Sequence, residues 1–174
     1  MRRELPREFV LALTVTTRGI FFAHFEGPLS PIDWGFRGTK GADKNATGFA
    51  HIRALVDRLE PDVIVLPEYA LPGVVRSQRI RRLQHRAAAY AGSRSIEVIR
   101  YGRADIRRTF GKLGASTRYE IAQVIASHID AFAHRLPARP KIWMKDHHQM
   151  GLFDAAALAL VYFANRGLYP DRRL

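Results

Sequence analysis

The 174-residue sequence contains no cysteine. That excludes disulfide frameworks and cysteine-based zinc sites, and it fits a reducing compartment such as the cytoplasm. No apolar run is long enough to span a bilayer. The stretch at 10–13 is brief, and the amino-terminal segment lacks a secretory cleavage pattern, so neither a membrane span nor a signal peptide is expected. Internal repeats and low-complexity tracts are also missing. Acids are scarce: 16 Asp and Glu stand against 28 Lys and Arg, a formal net charge of +12. Such an excess points to a polyanion, nucleic acid first and an acidic membrane surface second, with solubility alone as the bland alternative. Arginine makes up most of the positive charge, and its planar fork suits phosphate better than lysine's point charge.

What is present is ordinary for a globular chain, with 47% hydrophobic and 25% charged residues. The length suits one domain, 1–174, with its core at about 9–165 and a short basic carboxyl-terminal tail; a domain of this size buries roughly 70% of its unfolded surface. Residues 10–13 and 20–25 are apolar runs around a polar turn containing Gly19, the pattern of a hairpin. Residues 32–37 alternate like a third strand, and 38–48 read as a loop. Helical spacing follows at Phe49, Ile52, Val56 and Leu59. An apolar run at 63–66 fits a strand covered on both faces. A helix at 77–91, a strand at 96–101 and a short helix at 105–110 come next. Thr117 and Glu120 have capping-box spacing for a helix running to about 136. Pro137 and Pro140 enforce an extended connection before a last helix at 152–165. The order predicts an α/β domain with a mixed five-stranded sheet flanked by helices.

Two short motifs carry a resemblance. The first strand and turn, L-A-L-T-V-T-T-R-G-I, and the last helix, M-G-L-F-D-A-A-A-L-A-L, resemble the RuvC-like resolvases of the RNase H fold. The resemblance covers about residues 10–163. It implies an RNase H-like (RuvC-like) fold and a site of carboxylates from the first strand, the end of the fourth strand and the last helix. Such carboxylates hold two divalent cations about 4 Å apart that activate water against a phosphodiester. Carboxylate oxygens suit Mg²⁺ or Mn²⁺. On this chain the scheme falls on Glu68 and Asp154 as catalytic and metal-holding residues, with Asp146 as a further loop ligand. Thr14 stands where the first aspartate is expected, and Gly151 where resolvases often have histidine.

Each acid also has a plainer reading. Asp154 near a helix start is a good dipole partner, and Glu68 after a strand can be a solvated loop acid. His147 and His148 are poor candidates for one shared ion because adjacent residues seldom face the same point.

The resemblance implies two functions to weigh. One is a nucleic-acid-binding, degenerate relative with weak or absent cleavage. The other is an active Mg²⁺- or Mn²⁺-dependent endodeoxyribonuclease of Holliday-junction type. The two departures favour the first, and they imply that an aspartate at position 14 would add metal binding and cleavage. Independently, Arg79, Arg82 and Arg86 lie at i, i+3 and i+7 behind Arg76, with almost no acids interleaved; phosphate contact is preferred over a solvated face. Arg107, Arg108 and Lys112, near Phe110 and Tyr101, form a second cluster mixing charge with stacking surface, although core aromatics would look alike. The expected partner is DNA, branched or duplex, before RNA. The resemblance further implies a homodimer.

Overall fold

The computed structural model describes residues 7–69, 77–141, 143 and 147–168. The apolar runs around the polar turn become β1 (Val10–Val15) and β2 (Gly19–Phe25), an antiparallel hairpin whose strand residues are all buried. Thr16 closes the turn: its hydroxyl oxygen accepts from the backbone N–H groups of Arg18 and Gly19, each at 3.2 Å. β3 (Pro31–Gly38) pairs antiparallel with β2. After α1 (Lys44–Leu59), β4 (Val63–Pro67) runs parallel to β1; after α2 (Gln78–Ser93), β5 (Glu97–Tyr101) runs parallel to β4. The strand order is β3-β2-β1-β4-β5. α3 (Arg103–Gly111), α4 (Arg118–His128), α5 (Asp130–Ala133) and α6 (Met150–Asn165) complete the described elements. The expected mixed five-stranded sheet flanked by helices is what forms.

Strand alternation sorts the core into two layers. Leu11, Leu13, Phe22, Ile64 and Leu66 pack with α1 and α2, while Ala12, Phe21, Phe25 and Val65 pack with α3, α4, α5 and α6. α6 is apolar on nearly every side, as a core helix must be. From Met150 to Phe163 every residue but Asp154 is buried, and its alanines let it lie close on the sheet.

Most boundaries shift by one or two residues from the sequence expectation, and two differ by more. α1 begins at Lys44, inside the stretch read as a loop, because the Asp43 carboxylate accepts from Ala46 N–H at 2.9 Å and caps the helix there. The helix expected from 117 to 136 breaks at Ile129, which is extended (φ −125°, ψ 98°). The break turns both Ile129 and Phe132 into the core, Phe132 lying edge-on to Trp34 at 5.1 Å. No glycine or proline marks it.

Four helices start at one edge of the sheet, the edge where β1, β4 and β5 end. Lys44 of α1 donates to the Thr17 carbonyl at 3.0 Å, and Asn45 and Arg79 join the starts of α1 and α2. α3 follows β5 directly, and α6 begins against Thr14. Among the described residues no helix is long and apolar enough to cross a membrane.

The opposite end of the hairpin holds a buried titratable group. His24 stacks on Phe9 at 5.8 Å, and neither ring nitrogen has a hydrogen-bond partner among the described residues. Burial lowers its pKa below 6.5, against the pull of Asp33, Asp62 and Glu26 and with a push from Arg58. A folded-state pKa below the unfolded one gives stability that is full above about 6.5 and is lost as pH falls through the folded value. His24→Phe should remove the acid sensitivity that begins below about pH 6.5. Thermal unfolding at pH 5 and 8 measures it, and an equal loss in both proteins would contradict this.

Candidate functional site

Thr14 ends the apolar part of β1 and points to the α6 side of the sheet. It is 7% exposed, and its hydroxyl donates to the Gly151 carbonyl at 3.2 Å. The position expected to carry an acid is thus a neutral link between β1 and the first turn of α6. Gly151 is glycine for a steric reason. A Cβ there would lie 2.3 Å from Cδ2 and 2.4 Å from Cε2 of Phe21, so the space a histidine would need is occupied by that ring. Phe21 is held in turn by Phe36 at 4.7 Å and His148 at 4.9 Å.

Asp154 lies three residues further along α6, and both of its carboxylate oxygens meet Arg118. Nε of Arg118 donates to Oδ1 at 2.9 Å and Nη2 donates to Oδ2, a two-point fork. Arg118 is the first residue of α4, and the capping box fixes its place. Thr117 caps the helix, and the Glu120 carboxylate accepts from Ser116 N–H (2.8 Å), Thr117 N–H (3.0 Å) and the Ser116 hydroxyl (3.0 Å). These donors hold the Glu120 carboxyl down at about 2. A pKa lowered by folding contributes stability above the unfolded value of 4.5 that is lost as pH falls toward 2. Glu120→Gln should therefore unfold with a weaker pH dependence between about 4.5 and 2, measured by circular dichroism; an unchanged acid limb would contradict the cap's role.

Glu68 follows β4, with its N–H donating to the Tyr101 carbonyl at 2.8 Å. It lines a cleft of about 280 Å³ with Arg81, Gln84 and His85 of α2 and with Arg100. That cleft opens on the α2 side of the sheet, whereas α6 packs on the other side. Pro67, by strand alternation, is the β4-end residue on the face of Thr14 and α6. Asp146 and Arg76 lie outside the described residues.

Among the described residues, Thr14, Glu68 and Asp154 do not converge as a two-cation centre would require. The first-strand position offers a neutral hydroxyl already spent on a carbonyl, Asp154 is compensated by a guanidinium, and Glu68 lines a cleft against a different helix. Among the described residues no three histidine or carboxylate groups come together as metal ligands would.

The arginine stripe divides. Arg79 exchanges hydrogen bonds with Asn45, donating to its side-chain oxygen at 3.1 Å while the Asn45 amide donates to the Arg79 carbonyl at 3.1 Å. Arg86 lies over the Phe49 ring at 4.1 Å. Both tie α2 to α1, and Arg82 is exposed. On the opposite face, Arg107, Arg108 and Lys112 are exposed along α3, and Arg108 pairs with Asp105 at 3.5 Å. Phe110 is in the core rather than on a stacking surface. The sequence reading missed Arg118 and Phe21. Nothing in spacing relates Arg118 to an acid 36 residues away, and Phe21 reads as one more strand aromatic.

No protein-family profile and no curated protein sequence matches the chain. Solved structures do. RuvC of Thermus thermophilus superposes with a TM-score of 0.66 at 15% identity, covering 92% of this chain and 97% of its own. The same protein in complex with a Holliday junction substrate gives 0.66 at 14%, over 92% and 97%. The yeast mitochondrial Holliday junction resolvase gives 0.65 at 12%, over 94% and 80%. The chain has the fold of the RuvC-like Holliday junction resolvases.

Proposed function

We propose that this protein binds nucleic acid, branched or duplex DNA, along the sheet edge where its helices begin, and that it cleaves weakly or not at all. The observation that carries the second half is the Arg118 fork on Asp154. In a metal-dependent relative that carboxylate would face cations; here the half-exposed guanidinium of Arg118 already answers it. The neutral Thr14 and the Phe21 ring at Gly151 point the same way, so the site has departed from the metal-holding pattern at more than one place. Glu68 and Asp154 are then remnants of that pattern.

Binding is supported by charge and placement. The starts of α1, α2, α3 and α6 direct their positive dipole ends to one edge, which also carries Arg18 on the β1–β2 turn and Lys44. The excess of 12 positive charges adds to that field. The T. thermophilus protein of the same fold holds a junction in its complex. If about five phosphates are neutralised, log affinity for duplex DNA should fall with log salt at a slope of about −4 to −5. Arg82→Ala should flatten that slope by about one and leave stability unchanged. Arg79→Ala and Arg86→Ala should instead lower the melting temperature, since both side chains bridge α1 and α2. Anisotropy titrations across salt measure the slope; no salt dependence would overturn binding by phosphate contact.

A further inference from the structure

The described residues leave two large hydrophobic side chains exposed: Ile32 at 45% and Trp143 at 80%. Trp143 lies in the connection between α5 and α6. That connection is anchored at its start, where the Tyr119 hydroxyl donates to the Pro137 carbonyl at 2.9 Å. Pro137 and Pro140 lack backbone donors, and residues 136–141 of the connection form neither helix nor strand. Its side chains pair cations with rings: Arg139 lies 5.9 Å from the Tyr119 ring centre, and the Lys141 ammonium 5.5 Å from that of Trp143. The same connection supplies Arg135, His148 and Gln149 to a cleft of about 230 Å³ walled by Phe21, Trp34 and Phe36.

We infer that Trp143, with Arg139 and Lys141 beside it, forms a stacking platform for unpaired nucleobases, the exposed Trp143 ring being its principal surface and the adjacent cations taking the strand's phosphates. The inference rests on the nucleic-acid reading above and specifies which part of the nucleic acid this surface meets. Among the described residues from 131 to 143 the charged side chains are Arg135, Arg139 and Lys141, with no acid. A second copy of the chain would set those cations against their own likeness, which opposes self-association through this face. An unpaired strand offers what this surface complements, negative charge for its cations and flat rings to stack on Trp143, and cation-lined aromatic platforms bind single strands with little regard to sequence.

The test uses Trp143 as its own reporter. The chain has two tryptophans, and Trp34→Phe leaves one. The full chain is titrated with a single-stranded oligonucleotide, a four-way junction with an unpaired centre, and a blunt duplex, following fluorescence and anisotropy. The expected result is saturable quenching by the single strand and the open junction and little by the duplex. Trp143→Ala should weaken single-strand binding by about tenfold, in line with one lost base stack, while Trp143→Phe retains most of it. The salt slope should be unchanged in Trp143→Ala, because the slope counts phosphates. Equal quenching by duplex and single strand, or unchanged single-strand affinity in Trp143→Ala, would overturn the platform while leaving phosphate-driven binding intact. A Trp143→Ala protein that turns from dimer to monomer with unaltered affinity would assign the ring to a self-interface instead. Failure of every oligonucleotide to bind would remove the nucleic-acid reading and the platform with it.

Discussion

Thr14→Asp is expected to unfold far more easily than the parent, with a melting temperature lower by about 10 °C or more. The resemblance alone implies the opposite benefit, a restored metal ligand. At 7% exposure, however, the new carboxylate would replace a hydroxyl that donates to the Gly151 carbonyl at 3.2 Å. An ionised oxygen facing that carbonyl meets an acceptor instead of a donor, in a site that is nearly closed to solvent. Leaving a charge buried and unpaired costs about 3–5 kcal/mol, and a domain of this size loses about 2–4 °C per kcal/mol. The carboxyl escapes part of the cost by staying protonated, so its pKa rises on folding. A group so shifted is harmless below its unfolded value of about 3.9, and its penalty grows as pH climbs toward the folded value. Thr14→Val, which keeps the shape and loses one hydrogen bond, should cost only about 1 kcal/mol. Melting curves at pH 4 and 8 for the three proteins measure this. A Thr14→Asp protein as stable as the parent at pH 8 without divalent metal would show that the pocket is wetter or more polar than described.

Gly151→Ala should be strongly destabilising for the addition of a single methyl group. Its Cβ would sit 2.3 Å from Phe21, a ring itself wedged between Phe36 and His148. Either the ring or the helix has to move, and overpacking of this kind costs about 1–3 kcal/mol. The loss should depend on Phe21. In Phe21→Leu the clash is relieved, so the double variant should be more stable than the sum of the two single changes requires, by a coupling within about 0.5–3 kcal/mol. Strict additivity in chemical denaturation would mean that the collision is absorbed elsewhere. The pair also explains why the histidine of the resemblance is missing here: position 151 cannot host a side chain while Phe21 stays.

The fold was largely legible because its signals are local. Two apolar runs around a turn, one short strand covered on both faces, and helices opened by Thr117 and Ser77 suffice to order the elements. The split at Ile129 was not legible, since it comes from Ile129 and Phe132 competing for the core rather than from a breaker residue. The site was legible only as a set of positions. Asp154 stands out as the one charged residue in an apolar helical run, and Thr14 and Gly151 stand out against the resolvase pattern. What those positions do depends on partners distant in sequence: Arg118 on Asp154, Phe21 at Gly151, and Gly151 on Thr14. The arginine stripe shows the same limit. Periodicity put Arg79, Arg82 and Arg86 on one face, but only packing revealed that Asn45 and Phe49 claim two of them.

The most direct measurement is cleavage of a labelled four-way junction, with a duplex control, by the parent chain and Asp154→Asn across Mg²⁺ and Mn²⁺ concentrations. The account predicts salt-sensitive binding by both proteins and no metal-dependent nicking by the parent above the Asp154→Asn background. Junction cleavage in Mg²⁺ or Mn²⁺ that Asp154→Asn abolishes would contradict it, because the carboxylate held by Arg118 would then be serving a metal.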